Sequence, residues 1–408
     1  MTKYGQSFWV DVFPRSRVPA YPRHRGHLDA DVVIVGGGLI GCATAYACAA
    51  AGIKAALVEA GLIGRGSTGS SAGWISDDPG VSLVDVEKAV GLRAARTAWQ
   101  VWRRAALDFG TLIRRLELKC DFKPRGALHV AMTPEQATRL ERELKALRAA
   151  GIARPRVTAG RIAAEVGIAG VAGLSSRDGA TIDPYRAAIG LAAAAAARGA
   201  RLSEGSPAKR IKFGRRWVDV TTAGGTLRAG RVVIATGTPT SLFASLARHF
   251  WYKSSFLALT DRVPAKVRPQ LGRRAMVVRD SATPPHVIRW VDDTRLLISG
   301  ADSGDPIPPR PRDKVIVQRT GQLMYELSTL YPDISGILPA YGWEAPYGRT
   351  ADGLPLIGPH RNFPRHLFAF GDSSQSVTGA YLASRILLRH CLNQLDPSDE
   401  VFGFRWDR

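Results

Sequence analysis

Asp31-Val32-Val33-Ile34-Val35-Gly36-Gly37-Gly38-Leu39-Ile40-Gly41 is the stretch on which the fold turns. Asp31 to Val35 is a short, β-branched apolar run of the kind buried on both faces of a parallel sheet. The Ala-rich segment from Leu39 to Ala51 reads as a helix ended by Gly52, and Ala55 to Glu59 reads as a second strand. Together they predict a compact strand–helix–strand unit. Within it, residues 36–41 fit G-x-G-x-x-G. Gly36 permits the tight turn out of the strand, Gly38 lets a pyrophosphate approach the helix N-terminus, and Gly41 lets helix and strand pack closely. Glu59 ends the next strand eighteen residues after Gly41, where a carboxylate accepts hydrogen bonds from ribose hydroxyls and disfavours a 2′-phosphate. This much implies a dinucleotide and leaves NAD and FAD both open.

Outward from that unit, Gly61 to Gly73 is a loop of small and hydroxyl-bearing residues, including Ser67, Thr68, Ser70 and Ser71. Such a loop can run beside an extended dinucleotide and donate to it without steric conflict, which tips the reading towards FAD. Val232-Val233-Ile234-Ala235-Thr236-Gly237 is a buried strand ending in small residues that bring backbone up to a cofactor. A chain of 408 residues exceeds what one core usually organises. The fold class is therefore α/β, α+β overall.

Elsewhere the pattern predicts a surface extension over residues 1–30 and one long helix from Asp85 to Leu116 whose Trp99 and Trp102 pack in a core. Thr133-Pro134 and Asp183-Pro184 each read as a capped helix start. Short strands follow near Ala208–Phe213, Trp217–Thr222 and Arg231–Ala235, and residues 250–345 look strand-rich with a helix near Asp313–Leu330. Lys and Arg number 56 against 35 Asp and Glu, a net charge of +21, but no run of basic residues concentrates it. A diffuse field of this kind argues against a nucleic-acid partner. Cys42, Cys48, Cys120 and Cys391 form neither a C-x-x-C pair nor a metal cluster, which suits a reducing, cytoplasmic setting without a metal. The glycines interrupting Val32 to Ile53 exclude a membrane span, and the N-terminus has no secretory h-region. No H-E-x-x-H or G-x-S-x-G supports hydrolytic chemistry.

Arg349-Thr350-Ala351-Asp352-Gly353-Leu354-Pro355-Leu356-Ile357-Gly358 and Leu367 to Gly379, taken with the N-terminal unit, resemble the D-amino-acid oxidase family of FAD enzymes, in its amine-oxidising branch with glycine, sarcosine and γ-glutamylputrescine oxidases. The resemblance runs from about Asp31 to the C-terminus, and Glu400 to Arg405 looks like that branch's short tail. It implies a Rossmann-type FAD-binding domain interleaved with a strand-rich substrate domain. The expected division is a 1–30 extension, a discontinuous FAD-binding domain (31–84, 158–245, 341–395), a substrate domain (85–157, 246–340) and a 396–408 tail.

It also implies hydride transfer from the carbon beside a neutral amine to flavin N5, with O2 as acceptor and imine and hydrogen peroxide as products. Donors in the last glycine-bearing turn would stabilise charge on the reduced ring. The FAD contacts so expected are Gly36, Gly38, Leu39, Ile40, Gly41, Glu59, Ala60, Arg65, Ser67, Thr68, Ser70, Ser71, Ala72 and Gly73. Ala208, Ala235, Thr236, Gly237, Arg349, Gly371, Asp372, Ser373, Ser374, Gln375, Ser376, Val377 and Thr378 complete them.

The chain departs from the family in two places. Ser373-Ser374-Gln375-Ser376 stands where relatives carry more glycine and often histidine or asparagine. The carboxylate-clamping arginine of the amino-acid oxidases is matched by Arg349 only loosely, and Tyr347 occupies the nearer position. Arg349, Tyr347 and Lys253 are the candidates for catalysis, Lys253 as a positive charge assisting oxygen, and His286, Arg289 and Trp290 are candidates for the substrate side. Two further readings stay open: a dehydrogenase passing electrons to a quinone or carrier protein, and a flavin-binding subunit without catalysis.

Overall fold

In the computed structural model the described residues are 1–304, 307–308, 310, 312–371 and 376–404. Two large sheets organise them. The first is parallel at its centre, in the order Arg201–Ser203, Ala55–Val58, Gly26–Val35, Gly225–Gly237, and continues antiparallel through Val218–Thr221 and Arg210–Phe213. Phe363–Phe370 joins it alongside the end of Gly225–Gly237. Val33 and Ile34 are fully buried, as a strand covered on both faces requires. The helices Leu39–Ala50, Pro184–Ala196 and Thr378–Leu392 cover one face through a shared apolar cluster.

The second sheet has nine strands: Lys3–Tyr4, Pro339–Arg349, Trp251–Thr260, Arg295–Ser303, Val287–Val291, Met276–Asp280, Gly126–Ala131, Ala172–Ser176 and Arg156–Thr158 in spatial order. Strand alternation gives it two distinct faces. Phe256, Ala258 and Ile298 pack on Leu323 and Leu327 of the Arg312–Leu330 helix. Leu257, Trp343 and Ala345 point the other way, onto Ala72 and Tyr185 of the first half. The indole of Trp343 donates to the Ser70 carbonyl at 2.9 Å. Ala172–Ser176 and Pro339–Arg349 thus sit in the nine-stranded sheet, across the boundaries expected at 158 and 341.

Two expectations about local structure are corrected. The first thirty residues are not a surface extension: Lys3–Tyr4 pairs with Tyr341–Gly342, Phe8 and Trp9 are buried, and the dinucleotide strand begins at Gly26. Aromatic residues outweighed the absence of periodicity there, because burying rings is favourable whatever the spacing. The long helix is in fact two, Leu83–Val90 and Leu92–Arg115, because Gly91 between them takes a φ of +82°. Trp99 and Trp102 are buried in the core as expected. Among the described residues no helix is long and apolar enough to cross a membrane.

Both capped starts form. Thr133 accepts from the Gln136 N–H at 3.3 Å, and Asp183 accepts from the Arg186 N–H at 2.9 Å. Asp183 is only 4% exposed, and burial raises its carboxyl from 3.8 to about 6. The unfolded carboxyl therefore ionises first, so this group makes stability fall as pH rises from about 4 to about 6, with no further loss above. Asp183→Asn keeps the capping oxygen without the charge. It is expected to unfold later in urea at pH 8, by on the order of 2 kcal/mol, with the difference shrinking towards zero at pH 3.

Candidate functional site

The glycine turn is held by backbone contacts that leave no room for side chains. Gly36 has a φ of +111°, and a Cβ on it would lie 2.6 Å from the Ala235 carbonyl oxygen. A Cβ on Gly41 would lie 1.9 Å from the Gly36 carbonyl oxygen. Gly38 caps the Leu39–Ala50 helix with no side chain of its own, and Thr68 Oγ1 accepts from the Leu39 N–H at 2.9 Å. Glu59 accepts from the Gly37 N–H at 2.6 Å and from the Gly61 N–H at 2.7 Å, so its carboxylate is fixed at the end of its strand. Sequence reasoning missed Glu204, which is buried and accepts from the Ile63 N–H at 2.7 Å, anchoring the hydroxyl-rich loop from the neighbouring strand.

These elements border a cleft of about 340 Å³. Of the residues expected from the sequence, it is lined by Gly36, Gly38, Leu39, Ile40, Glu59, Ala60, Ser67, Thr68 and Ser71. Ala208, Ala235, Thr236, Gly237, Ser376, Val377 and Tyr347 line it too. Thr238, Thr240, Ser241 and Leu242 add a wall that sequence reasoning did not name. Its signal was present: Thr236 to Ser241 is a second hydroxyl-rich run directly after a buried strand.

Other expected contacts lie outside this lining, with visible reasons. Gly41 faces Gly36 inside the helix–strand contact. Arg65 is exposed. Ser70 gives its carbonyl to Trp343, and Ala72 and Gly73 give theirs to Arg289. Gly371 donates to the Gly237 carbonyl at 2.9 Å, tying two strand ends together. Thr378 donates to the Ser76 carbonyl at 2.8 Å. Arg349 is exposed on the last rung of its strand, opposite Trp251. Asp372, Ser373, Ser374 and Gln375 lie outside the described residues.

At the far end of the cleft the 74–76 segment meets the turn before the last helix. Trp74 bridges Ser376, and the Ser76 and Ser376 hydroxyls are 2.7 Å apart. Arg154 bonds Asp77 at 2.6 Å and Arg279 bonds Asp78 at 3.0 Å, which braces this segment from behind. The Asp352-Gly353-Leu354 turn closes on itself, Asp352 accepting from the Leu354 N–H at 3.0 Å. Tyr347 donates to Asp302 at 2.5 Å. Burial first, and then the Asp302 carboxylate, hold its phenol well above the usual value. Lys253 is directly opposite Tyr347 in the sheet.

Of the substrate-side candidates, His286 belongs elsewhere: it bonds Asp280 at 2.6 Å and Glu326, on the outer helix, at 2.9 Å. Trp290 also packs in that outer cluster. Arg289 is 2% exposed on the inner face, donating to the Ala72, Gly73 and Ile182 carbonyls. A turn without Cβ atoms, a helix N-terminus and a fixed carboxylate make a cradle that fits a dinucleotide. Among the described residues no cluster of His, Cys, Asp and Glu could hold a metal.

The comparisons agree with this geometry. A family model described as FAD dependent oxidoreductase matches residues 31–389. The chain is 26% identical to the γ-glutamylputrescine oxidoreductase of Escherichia coli K12, over 88% of this chain and 83% of the relative. It is also 26% identical to a glycine oxidase of Bacillus licheniformis, over 88% and 93%. The fold is that of the glycine oxidase of Geobacillus kaustophilus: TM-score 0.76, 22% identity, 93% of this chain and 99% of that one.

Proposed function

Because the chain belongs to the FAD dependent oxidoreductase family, we propose that this enzyme oxidises the carbon–nitrogen bond of a small amine or amino acid. Bound FAD supplies the hydride acceptor, and O2 as the final acceptor leaves imine and hydrogen peroxide. The observation that carries the reading is the continuity of one cleft from the Gly36–Ile40 turn and Glu59 to Tyr347 on the second sheet. Relatives that act on amines and amino acids support it.

Gly36, Gly38 and the Leu39 helix end would hold the pyrophosphate, and Glu59 a ribose. Ala208, Thr236 and Gly237 would flank the adenosine half, while Ser71, Ser376 and Val377 would flank the flavin half. The protein's own contribution is orientation and exclusion of water. Ser76, Ser376 and Thr378 are locked in a buried hydroxyl chain that fixes the turn before the last helix. Tyr347 presents a protonated phenol to the cleft rather than a guanidinium. The division of labour is proposed to follow the two sheets, with substrate met by the inner face of the nine-stranded one.

The test is anaerobic titration of the purified yellow protein with amines, N-methyl amino acids and D-amino acids, followed by mixing with air. Bleaching at 450 nm, then rapid recovery with one hydrogen peroxide per turnover, is the expected result. Bleaching with slow recovery and no peroxide points to a dehydrogenase. A yellow protein that no substrate bleaches overturns the proposal.

A further inference from the structure

The sequence spreads its positive charge, but the fold gathers part of it on the outer flank of the first sheet. Residues 205–250 and 356–366 carry ten of the chain's 56 Lys and Arg side chains and one of its 35 Asp and Glu. That one acid, Asp219, lies between Arg228, at 2.8 Å, and Lys212 on the facing rung. Beyond this pair the chain reverses in a tight turn between Phe213 and Val218, the Gly214 N–H donating to the Trp217 carbonyl at 2.9 Å. Arg215 and Arg216 form the tip of the turn, and both are exposed. Arg365 donates to the Arg215 carbonyl at 3.0 Å and to the Gly230 carbonyl at 3.1 Å, neutral acceptors that leave its charge in place. Ring contacts from Phe213 to His366, His366 to Phe363 and Phe363 to His360, at 5.5, 5.9 and 5.4 Å, carry the surface on to the next cations. There the His360 imidazole is held below its usual pKa by burial and then by His249, Arg248 and Arg361.

Like charges gathered on one flank repel, and an anionic partner relieves that repulsion. Cations on an edge strand also deter strand pairing, which accounts for Arg210 and Lys212 on the outermost strand of the sheet. It does not account for the arginines of the turn, or for Arg248 and Arg361 on other segments. Phe213 adds the second ingredient: its side chain is 45% exposed beside the Arg215–Arg216 tip. An apolar ring flanked by guanidinium groups matches the boundary between lipid headgroups and acyl chains. A protruding turn meets such a plane, whereas binding a nucleic-acid strand calls for a groove that tracks its backbone. The flank is also separate from the cofactor cleft. Gly230, where Arg365 bonds, precedes the cleft-lining Ala235 by five residues, roughly 17 Å along the strand.

We propose that this flank docks the enzyme on an anionic lipid bilayer, with Phe213 entering the headgroup layer and Arg215, Arg216, Arg248, Arg361 and Arg365 facing the lipid phosphates. Since no helix among the described residues can cross a membrane, the attachment is peripheral.

Co-sedimentation of the FAD-loaded enzyme with lipid vesicles tests it. Binding is expected to phosphatidylcholine vesicles containing about 30% phosphatidylserine, and not to phosphatidylcholine alone. Raising NaCl from about 0.1 M to about 0.5 M should release most of the protein. Arg215→Glu/Arg216→Glu should lower the affinity for anionic vesicles at least about tenfold, and Phe213→Ala about threefold, with flavin content unchanged. Arg139→Glu/Arg142→Glu, exposed on the Pro134–Ala149 helix, makes the same change in net charge and should stay within about twofold of the parent. Equal losses in the two double variants, no binding to anionic vesicles, or equal binding to neutral ones overturns the proposal. Retention of a single-stranded RNA through Arg215 and Arg216, without vesicle binding, overturns it in favour of a nucleic-acid partner. Should Arg215→Glu/Arg216→Glu lose its flavin, Arg248→Glu/Arg361→Glu takes its place under the same criterion.

Discussion

Gly41→Ala is expected to yield a protein that no longer retains FAD and that unfolds at least about 3 kcal/mol more easily, if it folds at all. The added Cβ would lie 1.9 Å from the Gly36 carbonyl oxygen, and neither partner can move cheaply. Gly41 is in a buried helix. Gly36 leaves a strand held on one side by Ala55–Val58 and on the other by Gly225–Gly237. The helix must therefore retreat from the strand, and with it the N-terminus that faces the cleft. Absorbance at 450 nm relative to 280 nm after gel filtration measures the effect. Gly160→Ala is the control, since a Cβ there meets nothing within 4 Å, and it should stay as yellow as the parent. A Gly41→Ala protein with full flavin content would show that helix–strand contact does not set the cradle.

Arg289→Met should cost on the order of 3–5 kcal/mol of stability. Arg289 Nη1 donates at 2.8 Å to Ala72, 2.5 Å to Gly73 and 3.0 Å to Ile182, and the guanidinium lies 5.1 Å from the Trp9 ring centroid. Burial lowers its pKa to about 10, so it remains a cation at neutral pH. Methionine fills similar space but removes the donor shared by the Ala72, Gly73 and Ile182 carbonyls, leaving Gly73 the Ile182 N–H alone. Arg289→Lys keeps the charge without the planar fork and should fall between the two. Urea unfolding of the FAD-loaded proteins, followed by tryptophan fluorescence, gives the ordering. If Arg289→Met matches the parent, the guanidinium is not what joins the 72–73 loop to the sheet.

What was legible in the sequence was what chemistry confines to neighbours. The Gly36–Gly41 spacing encodes a turn, a close approach and a helix start within six residues, and Glu59 follows at the end of the next strand. The Thr133 and Asp183 caps are equally local. The polar inner face of the second sheet was harder to see because register, not proximity, assembles it: Tyr347 and Asp302 are 45 positions apart. Arg349 stands out in the sequence as a charge near Asp352, but it is exposed on the last rung of its strand, one residue beyond the cleft lining. Glu204 was invisible for the same reason as Asp302. It serves a loop 141 residues away through a backbone N–H that no motif records.

The first residues of the chain carry one more implication. Lys3 and Tyr4 extend the nine-stranded sheet, and a few residues later the Trp9 indole donates to the Ser71 carbonyl of the dinucleotide half at 2.9 Å. One short segment is thereby stitched into both bodies, beneath the same guanidinium that grips the loop between them. Neither half can open alone without first stripping these contacts, which merges two regions that a flexible junction would leave independent into one cooperative unit. The cleft walls, drawn from both halves, consequently keep their spacing for as long as the chain stays folded.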